Sequence, residues 1–196
     1  MNTQISRSRF SKDPVQIRLS GAGGQGLITA GVILAEAAVV DGKNVVQTQS
    51  YGPEARLGAS KSEVIISTKK IAYPQVTKPD ILLCLSQDAF EKYFPQTNSD
   101  TLLILDSGQI EPQASDGRLI YALPITETAA ATGSKVVANV VALGVMNALA
   151  GLVMPSSLRE AVAKRVPERF RALNEHALEA GEKLAEPLKN RKETVA

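Results

Sequence analysis

GAGGQG, at residues 21–26, separates a short strand candidate (residues 15–20) from an alanine-rich helix candidate (residues 27–40). Glycines at this spacing, after a strand and before a helix, match the fingerprint of a dinucleotide-binding βα unit. Glycine is needed because the chain turns sharply, because a phosphate must approach the backbone without meeting a Cβ atom, and because the helix packs closely on its strand. The stretch therefore predicts a phosphate-binding loop, and a tight turn without a ligand is the alternative.

The alternation of strand and helix continues along the chain. Further strand candidates lie at residues 44–48, 62–67, 81–85, 101–105 and 119–123, and helix candidates at 87–94, 126–131, 136–152, 156–165 and 168–184. Residues 81–85 and 101–105 are continuously apolar, as expected for strands covered on both faces. We predict a doubly wound α/β fold with a mainly parallel sheet, helices on both faces and a helical C-terminal segment. This single domain is expected to span residues 14–186, between a flexible N-terminal tail (1–13) and a frayed C-terminal tail (187–196).

Prolines and polar caps delimit the predicted C-terminal helices. Pro155 is expected to end the helix at 136–152, Ser156 or Ser157 to cap the next helix, and Pro167 to open the last one. The last helix carries an apolar stripe that predicts its packing face, formed by Phe170, Leu173, Ala177, Ala180 and Leu184. The helix at 136–152 is too apolar to be exposed, and part of it is expected to be buried between subunits.

Composition excludes several classes of protein. The chain of 196 residues has 44% hydrophobic residues, but no uninterrupted apolar run reaches the roughly 20 residues that a membrane crossing needs. Its first 13 residues lack the apolar centre of a secretion signal, which predicts a cytoplasmic protein. The net charge of +2 comes from interspersed residues, so no basic block indicates a nucleic-acid surface.

The chain has one cysteine and one histidine. Cys84 lies in an apolar strand candidate and is expected to be a core thiol, whereas His176 is expected to be a solvated helix residue. One cysteine cannot form an internal disulfide, a four-thiolate iron–sulfur site or a cysteine zinc site. We therefore predict no metal site and assign no catalytic residue to this chain, so any iron–sulfur chemistry would belong to another chain.

The second strand candidate lacks the acidic residue of an ordinary NAD site. That residue normally follows the glycine loop by about 20 positions, at the end of the second strand, and binds the ribose hydroxyls. Here the strand runs into Gln49 and Ser50, and Asp41 precedes the strand, which places it at the wrong edge of the sheet. The sequence thus favours phosphate binding without NAD recognition.

A second motif, SYGPEARLGAS at residues 50–60, follows this strand and is expected at the same edge as the glycine loop. Tyr51 could stack on a ring or donate a hydrogen bond. Arg56 could bind a phosphate or carboxylate in a forked geometry, with Glu54 orienting it. A rigid turn with an internal ion pair between Glu54 and Arg56 is the alternative.

GAGGQG together with YGPEAR (residues 51–56) resembles the gamma subunit, or gamma domain, of the 2-oxoacid:ferredoxin oxidoreductases. The resemblance spans residues 15–184 and includes KPD at residues 78–80 and Asn139 in a late helix. Many family members have glycine where this chain has Leu57, which leaves the path of the second loop open.

The resemblance implies a subunit of an enzyme that converts a 2-oxoacid and coenzyme A to an acyl-CoA, carbon dioxide and reduced ferredoxin. Among the branches it is most like 2-oxoglutarate oxidoreductase, with pyruvate, branched-chain and aryl 2-oxoacids as the other substrates. It implies a non-redox chain, inactive alone, assembled with alpha and beta subunits and with a possible ferredoxin-like delta subunit. Those partners would carry thiamine diphosphate and iron–sulfur clusters.

By the same resemblance, this chain contributes to the coenzyme A site. The candidate binding residues are Gly21, Ala22, Gly23, Gly24, Gln25, Gly26, Tyr51, Glu54, Arg56 and Asn139. For Asn139, an amide satisfied by neighbouring backbone is an equal alternative. Two other functions stay open: a stand-alone nucleotide-binding regulatory module without catalytic partners, and an NAD-dependent dehydrogenase. The missing acid, and the lack of a histidine or tyrosine–lysine catalytic pair, count against the dehydrogenase.

Overall fold

A computed structural model of the protein describes residues 12–49, 59–111 and 118–188. Its six strands are β1 (Val15–Ala22), β2 (Asn44–Gln49), β3 (Ala59–Ser67), β4 (Ile81–Cys84), β5 (Leu102–Asp106) and β6 (Ile120–Leu123). Its α-helices are α1 (Leu27–Val40), α2 (Gln87–Tyr93), α3 (Ile125–Ala131), α4 (Ala138–Ala150), α5 (Pro155–Arg165) and α6 (Arg171–Ala185). The proposed limits of the domain at residues 14 and 186 stay predictions.

The strands form one mixed sheet in the spatial order β2-β3-β1-β4-β5-β6. Strands β1, β4, β5 and β6 pair in parallel, and β3 is antiparallel to both β1 and β2. The connection from β2 to β3, residues 50–58, is shorter than the dozen or so residues that a parallel crossover needs, which accounts for the antiparallel pairing. The predicted α/β fold is confirmed, and β3 is the strand whose direction departs from the parallel pattern.

Helices cover both faces of the sheet, as predicted. On one face, Ile17, Leu19 and the other strand residues that point the same way share one apolar cluster with α1, α3, α4, α5 and α6, in which α5 packs on α1 and α6 packs on α4. On the opposite face, α2 packs against Leu82 and Cys84. Successive strand side chains point to opposite faces, so each strand serves both layers. This two-sided burial explains why β4 and residues 102–105 of β5 are apolar throughout.

The α4 helix is covered by this chain itself. Along Ala138–Ala150 every residue is buried except Ala148, which is half-buried. The expectation that part of this helix would be buried between subunits is therefore wrong for α4, although Val136 just before it is 83% exposed. No helix within the described ranges combines the length and apolar character that spanning a bilayer requires.

The boundary between α4 and α5 differs from the prediction. Helix α4 ends at Gly151, whose φ of 63° lies in the left-handed region that favours glycine. Pro155 is the first residue of α5 and Met154 its N-cap, so Pro155 opens a helix and neither Ser156 nor Ser157 caps one. Proline suits a first helical position because its missing N–H would have no partner there.

The packing face of α6 was predicted in part, because Ala177 is fully buried and Leu173 and Leu184 pack against the core. Its buried residues are Asn174, Ala177, Leu178, Gly181 and Ala185, whereas Phe170 precedes the helix and is 42% exposed. The face is set by a close crossing with α4, in which a Cβ atom on Gly181 would collide with the carbonyl oxygen of Val141. A search for large apolar residues does not detect a contact face made of small ones.

Cys84 is fully buried, as predicted, with its Sγ atom 3.0 Å from Ser20 Oγ. Burial raises the pKa of this thiol to about 12, from an ordinary value of 9.0. As the pH rises, the thiol of the unfolded chain loses its proton before the thiol of the folded chain does. The contribution of Cys84 to stability is therefore present below pH 9 and is lost as the pH rises toward 12. His176 is exposed on α6, as predicted.

We expect native Cys84 to resist alkylation by iodoacetamide at about pH 8, because a buried neutral thiol is a poor nucleophile. Intact-mass spectrometry checks this, and the same chain unfolded in guanidinium serves as the control that must be labelled quickly. Rapid labelling of the folded chain would contradict the burial of this thiol.

Candidate functional site

The glycine loop lies at the point where the sheet changes its winding direction. From β1 the chain passes through α1 toward β2 on one side, and from β4 it passes through α2 toward β5 on the other. Loops after β1 and β4 flank such a switch point, where open α/β sheets bind their ligands. The loop after β1 presents Ala22, Gly23 and Gly24 to solvent. The predicted phosphate loop therefore has the position that ligand binding requires.

Strand β1 extends two residues farther than predicted, into the glycine motif. Gly21 pairs with Ser60 and Ala22 pairs with Ala59 on β3. The turn itself is thus limited to the last four residues of GAGGQG. Within it Gly24 has φ 90° and Gly26 has φ 73°. The backbone of a residue with a side chain would be strained at these angles.

Several backbone amides of this turn are available to a ligand. The N–H groups of Gly23, Gly24 and Gly26 make no hydrogen bond to any residue in the part of the chain that the structure describes. They adjoin the N-terminus of α1, a helix of 14 residues whose dipole places positive potential at this end. Unpaired amides beside a helix N-terminus bind anions, phosphate above all.

Gln25 joins the two strands at the switch point. Its Oε1 accepts a hydrogen bond from the Ala22 amide at 2.7 Å, and its Nε2 donates to the Leu85 carbonyl at 3.1 Å. A Cβ atom on Gly21 would collide with Gln25 Oε1 and would lie 3.2 Å from the Cβ atom of Leu85. Gly21 is therefore needed to admit the Gln25 side chain, a role that the spacing of glycines did not reveal.

Asn139, in the first turn of α4, contacts the other end of the loop. Its side chain is buried, with 8% of the residue exposed, and its Nδ2 donates to the Gly26 carbonyl at 3.0 Å. A Cβ atom on Gly26 would lie 2.6 Å from this nitrogen. The amide is thus satisfied by backbone, and that backbone belongs to the candidate ligand loop.

The structure describes only the last two residues of the second motif, Ala59 and Ser60. Tyr51, Glu54 and Arg56 lie outside the described residues, so their binding roles stay predictions. Ala59, the first described residue of this motif, pairs with Ala22 and accepts a hydrogen bond from Tyr93 Oη at 3.3 Å. Strand β2 runs in the same direction as β1, so the segment begins and ends at the edge that carries the glycine loop.

Asp41 lies at the edge of the sheet opposite the crevice. This residue follows α1 and precedes β2, and its carboxylate accepts a hydrogen bond from the Met154 amide at 2.7 Å. It therefore stabilises the start of α5 and lies far from the glycine loop, as predicted. Strand β2 ends in Gln49 at the crevice edge without an acidic residue, so the ribose contact of an NAD site is missing there.

Two polar features were missed by sequence reasoning. A cleft of about 440 Å³ at the carboxyl ends of β4 and β5 is lined by Gln87 and by residues 107–111. Deeper in the sheet, Arg18 is buried and pairs with Glu63 at 2.7 Å across β1 and β3. Only the register of an antiparallel pair brings these charges together, and no local pattern in the sequence signals it.

Comparison with known proteins gives consistent matches. The sequence model of the pyruvate ferredoxin/flavodoxin oxidoreductase family matches residues 16–184. The 2-oxoglutarate synthase subunit KorC of Methanocaldococcus jannaschii is 43% identical over 177 residues, which cover 88% of this chain and 95% of that protein. KorC of Archaeoglobus fulgidus is 43% identical over 153 residues, or 78% of this chain and 79% of that one.

Solved structures agree with this similarity. The gamma subunit of a keto/oxoacid ferredoxin oxidoreductase from Geobacter sulfurreducens superposes with a TM-score of 0.80 at 47% identity, covering 88% of this chain and 99% of that one. The 2-oxoglutarate:ferredoxin oxidoreductase of Magnetococcus marinus, with 2-oxoglutarate, coenzyme A and succinyl-CoA bound, superposes with a TM-score of 0.82 at 26% identity. That match covers 94% of this chain and 32% of a longer chain.

Proposed function

Because the chain belongs to the pyruvate ferredoxin/flavodoxin oxidoreductase family, we propose that it is the gamma subunit of a 2-oxoglutarate:ferredoxin oxidoreductase. The enzyme cleaves 2-oxoglutarate to carbon dioxide and transfers the remaining succinyl group to the thiol of coenzyme A. Two electrons from this oxidation reduce ferredoxin. The 2-oxoglutarate name of the similar KorC proteins supports the choice of substrate.

One observation carries the role of this chain within the enzyme. The amides of Gly23, Gly24 and Gly26 are unpaired among the described residues and lie at the switch point of the sheet. The diphosphate of coenzyme A is the anionic group of the substrates that such a receptor fits. This chain thus holds the nucleotide end of coenzyme A, and the coenzyme A thiol extends toward the reacting acyl group on a partner subunit.

The chain's own residues orient a substrate and form no covalent bond with it. Thiamine diphosphate would supply the carbanion chemistry and iron–sulfur clusters the electron transfer, both on partner subunits. Holding coenzyme A in place converts an encounter between two molecules into a reaction within one complex, which lowers the entropic part of the barrier. The comparisons give no support to a stand-alone regulatory module, and the acid-free end of β2 disfavours an NAD-dependent dehydrogenase.

Purification of the native complex tests this function. We expect the chain to copurify with larger subunits that contain thiamine diphosphate and iron–sulfur clusters. Among pyruvate, 2-oxoglutarate, branched-chain and aryl 2-oxoacids, we expect 2-oxoglutarate to give the fastest coenzyme A-dependent reduction of an electron-accepting dye. Recovery of the chain without partners, or dye reduction that does not need coenzyme A, would contradict the proposal.

The isolated chain is expected to be colourless and inactive, since its single cysteine cannot ligate a cluster with four thiolates. Visible absorption and 2-oxoacid oxidation of the purified chain measure this, and the assembled complex is the positive control. An iron–sulfur absorption band or turnover in the single chain would overturn the assignment.

A further inference from the structure

We propose that Gln25 and Asn139 are positioning residues, which hold the glycine loop in the conformation that binds the diphosphate of coenzyme A without touching that ligand themselves. This inference rests on the proposed function of the loop. It changes the expected role of both side chains from direct ligand contacts to supports of the backbone that makes the contacts.

Gln25 directs both ends of its amide to backbone. Oε1 faces the Ala22 N–H and Nε2 faces the Leu85 carbonyl. This orientation follows from chemistry, because an N–H needs an acceptor and a carbonyl needs a donor. The side chain is half-buried in the angle of the loop. It ties the end of β1 to the residue after β4, and so fixes the width of the crevice at the switch point.

Asn139 fixes the other end of the same loop. The Gly26 carbonyl accepts from Asn139 Nδ2 at 3.0 Å and from the Ala30 amide at 2.9 Å. A carbonyl oxygen has two lone pairs, so both are occupied. Gly26 is held in its left-handed conformation while α4 supports the first turn of α1.

Together the two amides bond to the loop at Ala22 and Gly26 and leave the Gly23 and Gly24 amides between them without a partner among the described residues. Glycine-rich backbone loses much conformational entropy when it is ordered. If the protein orders the loop before the ligand arrives, less of the binding free energy is spent on that step. The Gly23 and Gly24 amides are then held in place for a diphosphate.

The test uses the assembled enzyme and two fragments of coenzyme A as competitive inhibitors against it. ADP carries the diphosphate, whereas pantetheine carries the thiol arm and no phosphate. For Gln25→Ala we expect the inhibition constant of ADP to rise about three- to tenfold, the equivalent of one net hydrogen bond. The inhibition constant of pantetheine should stay within about twofold.

Gln96→Ala is the matched control for Gln25. Gln96 also makes two hydrogen bonds through its amide, to Arg18 and to the Lys92 carbonyl, but lies away from the glycine loop. We expect it to leave both inhibition constants unchanged. Gln25→Glu is a second variant, which retains an acceptor for Ala22 but loses the donor to Leu85 and adds a negative charge. It should raise the inhibition constant of ADP at least as much as Gln25→Ala does.

Asn139→Ala should also raise the inhibition constant of ADP and leave that of pantetheine nearly unchanged. Its matched control is Asn147→Ala in the same helix, because Asn147 bonds Val153 through both of its amide atoms, at 3.1 and 3.0 Å. This control should lower thermal stability and leave the inhibition constant of ADP unchanged. A purely structural role for Asn139 would give the same pattern as Asn147.

The outcomes separate this inference from the proposed function. If the wild-type enzyme does not need coenzyme A, the proposed function fails. If it needs coenzyme A but ADP does not inhibit, the diphosphate site fails together with the positioning role. If ADP inhibits but the Gln25 and Asn139 variants leave that inhibition unchanged, only the positioning role is overturned. An equal rise for ADP and pantetheine would indicate general damage and would also overturn it.

Discussion

Replacement of Gly23 by alanine is expected to raise the coenzyme A concentration for half-maximal turnover by about tenfold or more, which equals roughly 1.4 kcal/mol of lost binding. Gly23 occupies the fingerprint position at which backbone approaches phosphate most closely, so an added methyl group obstructs the ligand. The residue is exposed, and its amide has no partner among the described residues. The variant should therefore fold and join its complex.

The measurement compares two reactions of the same enzyme. Reduction of the enzyme by the 2-oxoacid without coenzyme A should survive in Gly23→Ala, while full turnover requires a higher coenzyme A concentration. Gly21→Ala is the contrasting variant, since its Cβ collides with Gln25 Oε1 and it should lose stability as well as binding. Equal loss of both reactions in Gly23→Ala would point to damaged assembly, and an unchanged titration would place the phosphates elsewhere.

Gly181→Ala is expected to lower the free energy of unfolding by about 3 kcal/mol, the upper range for overpacking in a core. The new Cβ would collide with the Val141 carbonyl oxygen and lie 3.1 Å from the Val145 amide nitrogen, both in the backbone of α4. Gly144 on α4 faces the Leu178 carbonyl of α6 in the same way. Backbone cannot rotate aside as a side chain can, so the two helices would have to separate.

Urea denaturation of the purified chain, followed by circular dichroism, measures this loss. Gly108→Ala is the matched control, because the nearest atom to its Cβ is Asp106 Oδ1 at 3.8 Å. Its effect should stay within about 0.5 kcal/mol. Similar unfolding free energies for the two variants would show that α4 and α6 do not pack at this distance.

Local patterns in the sequence were sufficient for the elements that depend on nearest neighbours. Helix α1 begins and ends where predicted, and α2 lies within the predicted helix at residues 87–94, capped by Ser86, which accepts a hydrogen bond from the Ala89 amide. Continuous apolar runs identified β4 and β5, and with them the burial of Cys84. The glycine spacing correctly placed a tight turn between β1 and α1. Each of these features depends on residues within a few positions of one another, so its cause is visible in the sequence.

Long-range contacts were decided only by the tertiary structure. The antiparallel insertion of β3 and its Arg18–Glu63 pair depend on strand register. The packing face of α6 depends on how closely two backbones approach, and glycine allows this without adding any hydrophobic signal.

The candidate site shows the same division. The sequence by itself predicted the glycine turn between β1 and α1, because the left-handed backbone at Gly24 and Gly26 favours glycine. Only the fold decided that Asn139 would donate to Gly26, which lies 113 positions before it in the chain, and that Gln25 would bond to Leu85. A hydrogen bond between distant residues depends on where two elements meet in space, and hydrophobic periodicity specifies which face of each element is buried without specifying its partner.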